Sequence, residues 1–532
     1  MNNADRPVIK CKNGRFAGYE KDGVLIFKGI PYAKPPVGDL RWRPPQWPEE
    51  SDELFDAVEF GASGYQAYCF SELASHNRLS EDCLTLNIWA GDIDKPKKPI
   101  MVWIHGGGFN YGGTSDPNYD GEFFVREHQD VVLISTNYRI GMMGFLDFRG
   151  IPGGENYPEG PYLGILDLIQ SLKWIHENAD SFGGDADNIT IFGESAGGGL
   201  VCTLLVCDGT DGLFKRVIAQ SGTLNLLFPD EQFAKEAEEG RSIAQLLAAK
   251  TGANNMDDMV ALPAEELFAA YSAFDEELGM ILNDIYTMPL KGGSSPVPAD
   301  PYKALAEGKG KDVDFIIGTV ADEWRYFIFV MNDIDVSLLT EEERDRIIQE
   351  DLDMYGEYVE MLEKNFYDAS TDEEKARIDE VLELQPEDEE RKWKLTTLLN
   401  EALFRLPSIE AADRHAQAGG KTYMYLFDKK STAYDWLGAC HACEIAYVFN
   451  HLSEEPWTGE MDPDLALDMS TSWANFARTG DPGIEKAPWH PYDPETRNTM
   501  LFGNDGTMKM VQDPWKKQRE LLDFAYMYIP QI

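Results

Sequence analysis

Short apolar runs without polar alternation recur along the chain and set its architecture. Ile100-Met101-Val102-Trp103-Ile104 is the clearest, and stretches 131–135, 189–192, 217–219, 315–317 and 423–427 read the same way. A strand covered on both faces of a sheet carries such a run, because neither face can offer polar groups to a core. Between several of these lie stretches with helical patterning, 162–178 and 196–206. Buried strands alternating with helices predict an α/β protein with a central, mostly parallel sheet and helices on both faces. The first forty residues differ. Strand-like runs at 8–10, 15–20 and 24–30 are separated by Asn13-Gly14 and Asp22-Gly23, which predict antiparallel hairpins.

Two segments, about 225–300 and 330–400, lack clear buried strands and read as helical, acidic inserts. Their charge runs, such as Glu341-Glu342-Glu343 and Glu387-Asp388-Glu389-Glu390, read as solvated helix faces or ends. No internal repeat or low-complexity linker divides the sequence. The expectation is therefore a single catalytic domain over residues 1–532, with helical inserts carried on it.

Composition narrows the function classes. At 43% apolar and 12% aromatic residues, the 532-residue chain can bury a large core. Lys and Arg number 47 against 93 Asp and Glu, a net charge of −46. A field of that sign repels phosphate backbones and anionic lipid heads, so neither nucleic acid nor a membrane surface is an expected partner. No run of 18 uncharged apolar residues exists, and Met1-Asn2-Asn3-Ala4-Asp5-Arg6-Pro7 has no apolar core of a secretory signal. A cytoplasmic location is the expectation. Seven cysteines are too sparse for a disulfide scaffold.

Candidate chemistry begins where the run 189–192 meets Gly193-Glu194-Ser195-Ala196-Gly197 and an apolar helical stretch. G-x-S-x-G between a buried strand and a helix describes a sharp turn that exposes a serine hydroxyl. Flanking side chains must be minimal for the turn to close, hence the glycines. The following helix N-terminus favours negative charge developing beside the hydroxyl. Glu194 either tunes that site or serves as an acidic helix start.

A second glycine cluster, His105-Gly106-Gly107-Gly108-Phe109, follows the run ending at Ile104. Acyl transfer puts negative charge on a former carbonyl oxygen, and backbone N–H groups can approach it closely only through glycine. Gly107 and Gly108 are candidate donors, with Ala196 as a third. The phosphate-cradle alternative requires a Gly-Lys-Ser/Thr tripeptide, and none follows.

In this chain order the base lies downstream of the serine. His415, His441, His451 and His490 are the candidates. His441 occupies a turn-rich segment, Gly438-Ala439-Cys440-His441-Ala442-Cys443-Glu444, after the run 423–427, where a loop at the sheet's carboxyl end can reach the serine. His415 and His490 read as solvated. The run 315–317 leads to Asp322-Glu323, either of which could orient the imidazole. Cys440 and Cys443 form C-x-x-C, but no further ligands stand at zinc spacing, so no metal is expected.

Taken together, the chain resembles the type-B carboxylesterase family, which includes the cholinesterases and bacterial p-nitrobenzyl-type esterases. The likeness is carried by Phe27-Lys28-Gly29-Ile30-Pro31-Tyr32-Ala33, Pro35-Pro36-Val37-Gly38 and Leu40-Arg41-Trp42. Glu81-Asp82-Cys83-Leu84-Thr85-Leu86-Asn87, Asn137-Tyr138-Arg139, Phe182-Gly183-Gly184-Asp185 and Gly193-Glu194-Ser195-Ala196-Gly197-Gly198 extend it. The resemblance implies an α/β-hydrolase fold and cleavage of carboxylic esters through an acyl-enzyme, without a cofactor. It assigns the acid to Glu323 and the base to His441, and makes Ser221 of Gln220-Ser221-Gly222 a support for the acid. It also implies a disulfide between Cys69 and Cys83. Trp324 and Ala442 stand where the family usually has glycine. The loop between Cys69 and Cys83 contains no tryptophan, so a small neutral, apolar ester is a better expected substrate than a choline ester.

Overall fold

The computed structural model describes residues 6–66, 78–95, 97–278, 287–328, 364–387, 389–452 and 458–525, with scattered positions between 346 and 362. Among them, one sheet of eleven strands forms the frame. In chain order the strands are β1 (Tyr19–Lys21), β2 (Val24–Pro31), β3 (Thr85–Ala90), β4 (Lys98–Ile104), β5 (Val132–Thr136) and β6 (Gly184–Glu194). They continue with β7 (Arg216–Gln220), β8 (Asp314–Val320), β9 (Thr422–Phe427), β10 (Asn498–Phe502) and β11 (Met508–Gln512). Across the sheet the order is β11-β10-β9-β8-β7-β6-β4-β5-β3-β2-β1. From β10 to β5 every neighbour is parallel, and both margins are antiparallel. This is the α/β-hydrolase arrangement.

Each central strand is buried on both faces, and its alternate side chains belong to different cores. Ile100, Val102 and Ile104 pack with Leu168 and Leu172 of helix α1 (Leu163–Asn178) and Leu200 and Leu204 of α2 (Ala196–Val206). Met101 and Trp103, between them, face the opposite layer with Phe192, Phe449 and Trp473 of α4 (Pro463–Thr479). Helix α3 (Leu406–Gln417) joins α1 and α2 through Ile409 and Ala412. Full burial of a Leu, Ile or Phe side chain contributes about 1.5–3 kcal/mol, so these two layers hold the strand ends firmly.

Both hairpin signals form turns: Cys11 pairs with Gly14, and Lys21 with Val24. The first hairpin, however, lies outside the main sheet, where its second strand pairs with Leu54–Asp56. The span 225–300 is mainly helical, as at Asp230–Glu238 and Ile243–Thr251, but also holds a two-residue parallel pair, Phe228–Pro229 with Leu290–Lys291. Much of 330–400 lies outside the described residues; helices at Asp372–Glu383 and Arg391–Leu399 are described there. No described helix is long and apolar enough to cross a membrane.

Candidate active site

Four chain segments leave the carboxyl edge of the parallel sheet and meet. The turn after β6 carries Ser195 at φ 57° and ψ −123°, a left-handed conformation that an L-residue adopts only under constraint. The constraint is steric closeness. A Cβ on Gly193 would lie 2.6 Å from the Ile104 carbonyl oxygen, and one on Gly197 would lie 2.1 Å from the same atom. Ser195 N–H donates to the Gln220 carbonyl at 2.8 Å, tying the turn to β7. A Cβ on Gly222 would come within 1.9 Å of the Ser195 carbonyl oxygen, which is why the segment after β7 is also glycine there.

The loop after β4 turns through three successive left-handed residues, Gly107 (φ 100°), Gly108 (φ 59°) and Phe109 (φ 67°). Among the described residues, the N–H groups of Gly107, Gly108 and Ala196 donate to no protein acceptor. Neighbours hold the loop in that shape. Asn110 Nδ2 donates to the Gly108 carbonyl at 3.1 Å, and Thr287 and Tyr271 hydroxyls donate to Asn110 Oδ1 at 2.7 and 3.2 Å. His105 is stacked on Tyr138 at 4.5 Å, and its Nδ1 lies 2.8 Å from the Gly106 carbonyl oxygen. Burial pushes the His105 pKa down to about 4, which keeps it neutral there.

Beyond β8, the adjacent acids diverge. Glu323 is fully buried; its Oε1 accepts Val320 N–H at 2.9 Å and its Oε2 stands 2.5 Å from His441 Nδ1. Asp322 turns the other way and accepts the Ala439 N–H at 3.0 Å. The other ring nitrogen, His441 Nε2, lies 3.0 Å from Glu194 Oε1, beside Ser195. Neither of these two atoms has a hydrogen bond among the described residues. Tyr326, Phe327 and Phe404 surround the imidazole at ring distances of 5.9, 5.4 and 5.0 Å.

Burial alone would lower the His441 pKa, but the facing carboxylates Glu194 and Glu323 outweigh it and push the pKa above the usual imidazole range. Burial raises that of Glu194, with His441 opposing the rise. Sequence reasoning missed a third carboxylate in this group. Glu444 is fully buried and accepts hydrogen bonds from Gln220 Nε2 and the Tyr425 hydroxyl, both at 3.3 Å. Trp473 Nε1 in turn donates to Gln220 Oε1 at 3.1 Å. Burial, then the nearby Glu323, pushes the Glu444 pKa up to about 7.

The remaining candidates fall elsewhere. The Ser221 hydroxyl is buried without a hydrogen bond among the described residues and does not reach the acid; its N–H donates to Gly318 at 2.9 Å, bracing β7 against β8. Glu323 is held by the Val320 N–H instead. His415 is buried, not solvated, with Nδ1 2.8 Å from Thr422 Oγ1 and Nε2 3.2 Å from the Gly310 carbonyl oxygen. Its helix is polar on one side only, and His415 is on the inner side. Cys440 and Cys443 are buried beside the base, and no metal-binding cluster exists among the described residues. Cys83 is buried, whereas Cys69 lies outside the described residues. Trp324 N–H donates to Asn400 Oδ1 at 2.7 Å and its ring stacks near Phe327 at 4.7 Å; Ala442 takes a left-handed φ of 68°.

Comparison with known proteins places this geometry in context. The family model described as "Carboxylesterase family" matches residues 5–521. A para-nitrobenzyl esterase of Bacillus subtilis is 32% identical over 527 residues, covering 97% of this chain and 98% of that protein. A cholinesterase of Mus musculus is 32% identical over 510 residues, covering 89% and 79%. Among solved structures, a carboxylesterase of Geobacillus stearothermophilus superimposes with a TM-score of 0.79 at 32% identity, covering 97% of this chain and all of the other.

Proposed function

The chain belongs to the carboxylesterase family and is a carboxylic-ester hydrolase of the serine type, and from that premise we propose that Ser195, His441 and Glu323 are its catalytic triad. The N–H groups of Gly107, Gly108 and Ala196 form its oxyanion hole. The observation that carries this reading is the placement of one imidazole: Nδ1 on a buried carboxylate at 2.5 Å, Nε2 3.0 Å from Oε1 of Glu194, the residue before Ser195.

The reaction follows from those groups. Ser195 Oγ attacks the ester carbonyl while His441 Nε2 takes its proton, and Glu323 stabilises the imidazolium through Nδ1. The former carbonyl oxygen becomes an oxyanion facing three N–H donors. Collapse expels the alcohol, which takes the proton from Nε2. Water then attacks the acyl-enzyme by the same proton route and releases the acid. Glu194 Oε1, 3.0 Å from Nε2, favours the imidazolium that forms when Nε2 takes the serine proton.

The substrate reading is a small, neutral, apolar ester. Its support is the wall of Tyr326, Phe327 and Phe404 around the base, which offers apolar area to an acyl or alcohol group.

Reaction with a fluorophosphonate tests the assignment. The expected result is loss of esterase activity with one phosphonyl adduct, mapped by peptide mass to Ser195. An adduct on another residue, or full activity after labelling of Ser195, overturns it.

A further inference from the structure

Asp322 and Gly438 make a contact that ester hydrolysis by a triad does not itself require. Gly438 sits at φ 64° with its Cα against the Asp322 carboxylate; a Cβ there would lie 2.1 Å from Oδ2 and 2.6 Å from Cγ. The same carboxylate accepts the Ala439 N–H at 3.0 Å, and the Asp322 N–H donates to the Ala439 carbonyl at 2.8 Å. One residue thus closes a two-way clasp on the segment two positions before His441. On the other side of the clasp, Arg325 Nε lies 3.2 Å from Asp322 Oδ1, and its Nη1 donates to the Trp436 carbonyl at 2.9 Å. Arg325 Nη2 donates to Glu389 at 2.5 Å.

The geometry points to Asp322 as a positioning residue that fixes the distance between the acid turn and the base loop. This inference rests on the triad reading given above. Asp322 and Glu323 are consecutive, so the turn that aims one at the imidazole aims the other at the backbone carrying that imidazole. With the Asp322 side chain gone, the two loops keep the main-chain bond of Asp322 N–H to the Ala439 carbonyl, the Arg325 bond to the Trp436 carbonyl, the long His441 N–H to Glu323 carbonyl contact, 3.4 Å, and the Glu323 bond to the imidazole, but the Ala439 N–H loses its acceptor. Displacing a reacting group by about 1 Å can cost on the order of 10²-fold in rate. The clasp is also placed to be reached: a cavity of about 350 Å³ opens on its outer side, lined by Asp322, Arg325, Glu389, Asn400 and Arg405.

The test compares Asp322→Ala, Asp322→Asn and Arg325→Met, with kcat expressed per site titrated by a fluorophosphonate. Asp322→Ala should lower kcat by roughly 10- to 100-fold while KM stays within about twofold. Asp322→Asn keeps an oxygen for the Ala439 N–H and should recover most of the turnover. Arg325→Met leaves the clasp but removes its support, and should fall between the two. If Asp322→Ala does not fold, the Arg325→Met and Asp322→Asn values decide: turnover per site at the wild-type value in both overturns the proposal. Asp322→Ala that lowers only the number of titratable sites, with wild-type kcat in each, overturns it as well. Absence of labelling at Ser195 in the unmodified enzyme defeats the triad assignment instead, so the two failures are distinct.

Discussion

His441 stands between two carboxylates, with Glu323 Oε2 2.5 Å from Nδ1 and Glu194 Oε1 3.0 Å from Nε2. The second of these faces the nitrogen that, in the proposed triad, accepts the serine proton. A negative charge there favours the imidazolium, which cannot act as a base, so the pair keeps its proton to higher pH than an isolated imidazole. The acid limb of kcat/KM is therefore expected above the ordinary histidine range. Burial raises the Glu194 pKa to about 8, so its charge acts on His441 towards the alkaline side; Glu194→Gln removes it there and lowers the His441 pKa. The limb should move to lower pH by roughly one unit, read from a pH profile with a neutral ester; an unmoved limb contradicts the coupling.

Gly107 combines a φ of 100° with a Cβ position 2.4 Å from the Tyr111 carbonyl oxygen. Gly107→Ala must shift the donor loop. Turnover should fall by about 10²–10³, with KM changed less, in a steady-state comparison on one ester. Turnover within threefold of wild type removes Gly107 from the oxyanion site.

The turn at Ser195 stores strain, since φ 57° with ψ −123° suits glycine and not an L-side chain. Ser195→Ala and Ser195→Gly should both lose turnover on the order of 10⁶-fold. They should differ in stability. The glycine variant relieves strain of about 1–3 kcal/mol, less about 0.5–1 kcal/mol of unfolded-chain entropy. It is expected to resist denaturant better than the alanine variant. Equal midpoints mean the strain is not stored in this residue.

Arg139 and Asp167 form a buried ion pair between the segment after β5 and helix α1. Arg139 Nη2 donates to Oδ1 at 2.6 Å and Nε to Oδ2 at 2.7 Å, and both side chains are almost fully enclosed. Asp167→Ala leaves a buried guanidinium without its partner. It should destabilise the protein by about 3–5 kcal/mol in chemical denaturation, with kcat per titrated site nearly unchanged in the folded fraction.

The sequence was most readable where one physical demand acts on consecutive residues. Strands such as Lys98–Ile104 show as unbroken apolar runs because both faces are covered, and the glycines around Ser195 show because backbone passes within van der Waals distance. Demands met by distant partners left no such trace. Asp322 and Glu323 are equivalent in the chain, and only the direction of the turn separates the residue on the imidazole from the residue on Gly438. Glu444 carries no sign of its role in the segment Gly438–Glu444, because its partners Gln220 and Tyr425 come from two strands distant in the chain. His415 was misread because most of its helical neighbours in sequence are polar, while its own position turns inward. The strand Thr85–Ala90 does not show as an apolar run because an asparagine breaks it; that Asn87 is buried and donates to Thr114 and Ser135 hydroxyls at 2.9 and 3.0 Å.

The parallel order of β4, β6, β8 and β9 brings four loops out of a single edge, with the helical excursions lying in chain segments between those strands. The frame and the excursions nevertheless meet at those loops: Tyr271 and Thr287, carried between β7 and β8, hold Asn110, which in turn holds the Gly108 carbonyl. Replacing that excursion would therefore unseat the glycine loop as well, unless the graft brings its own hydroxyls to the same asparagine.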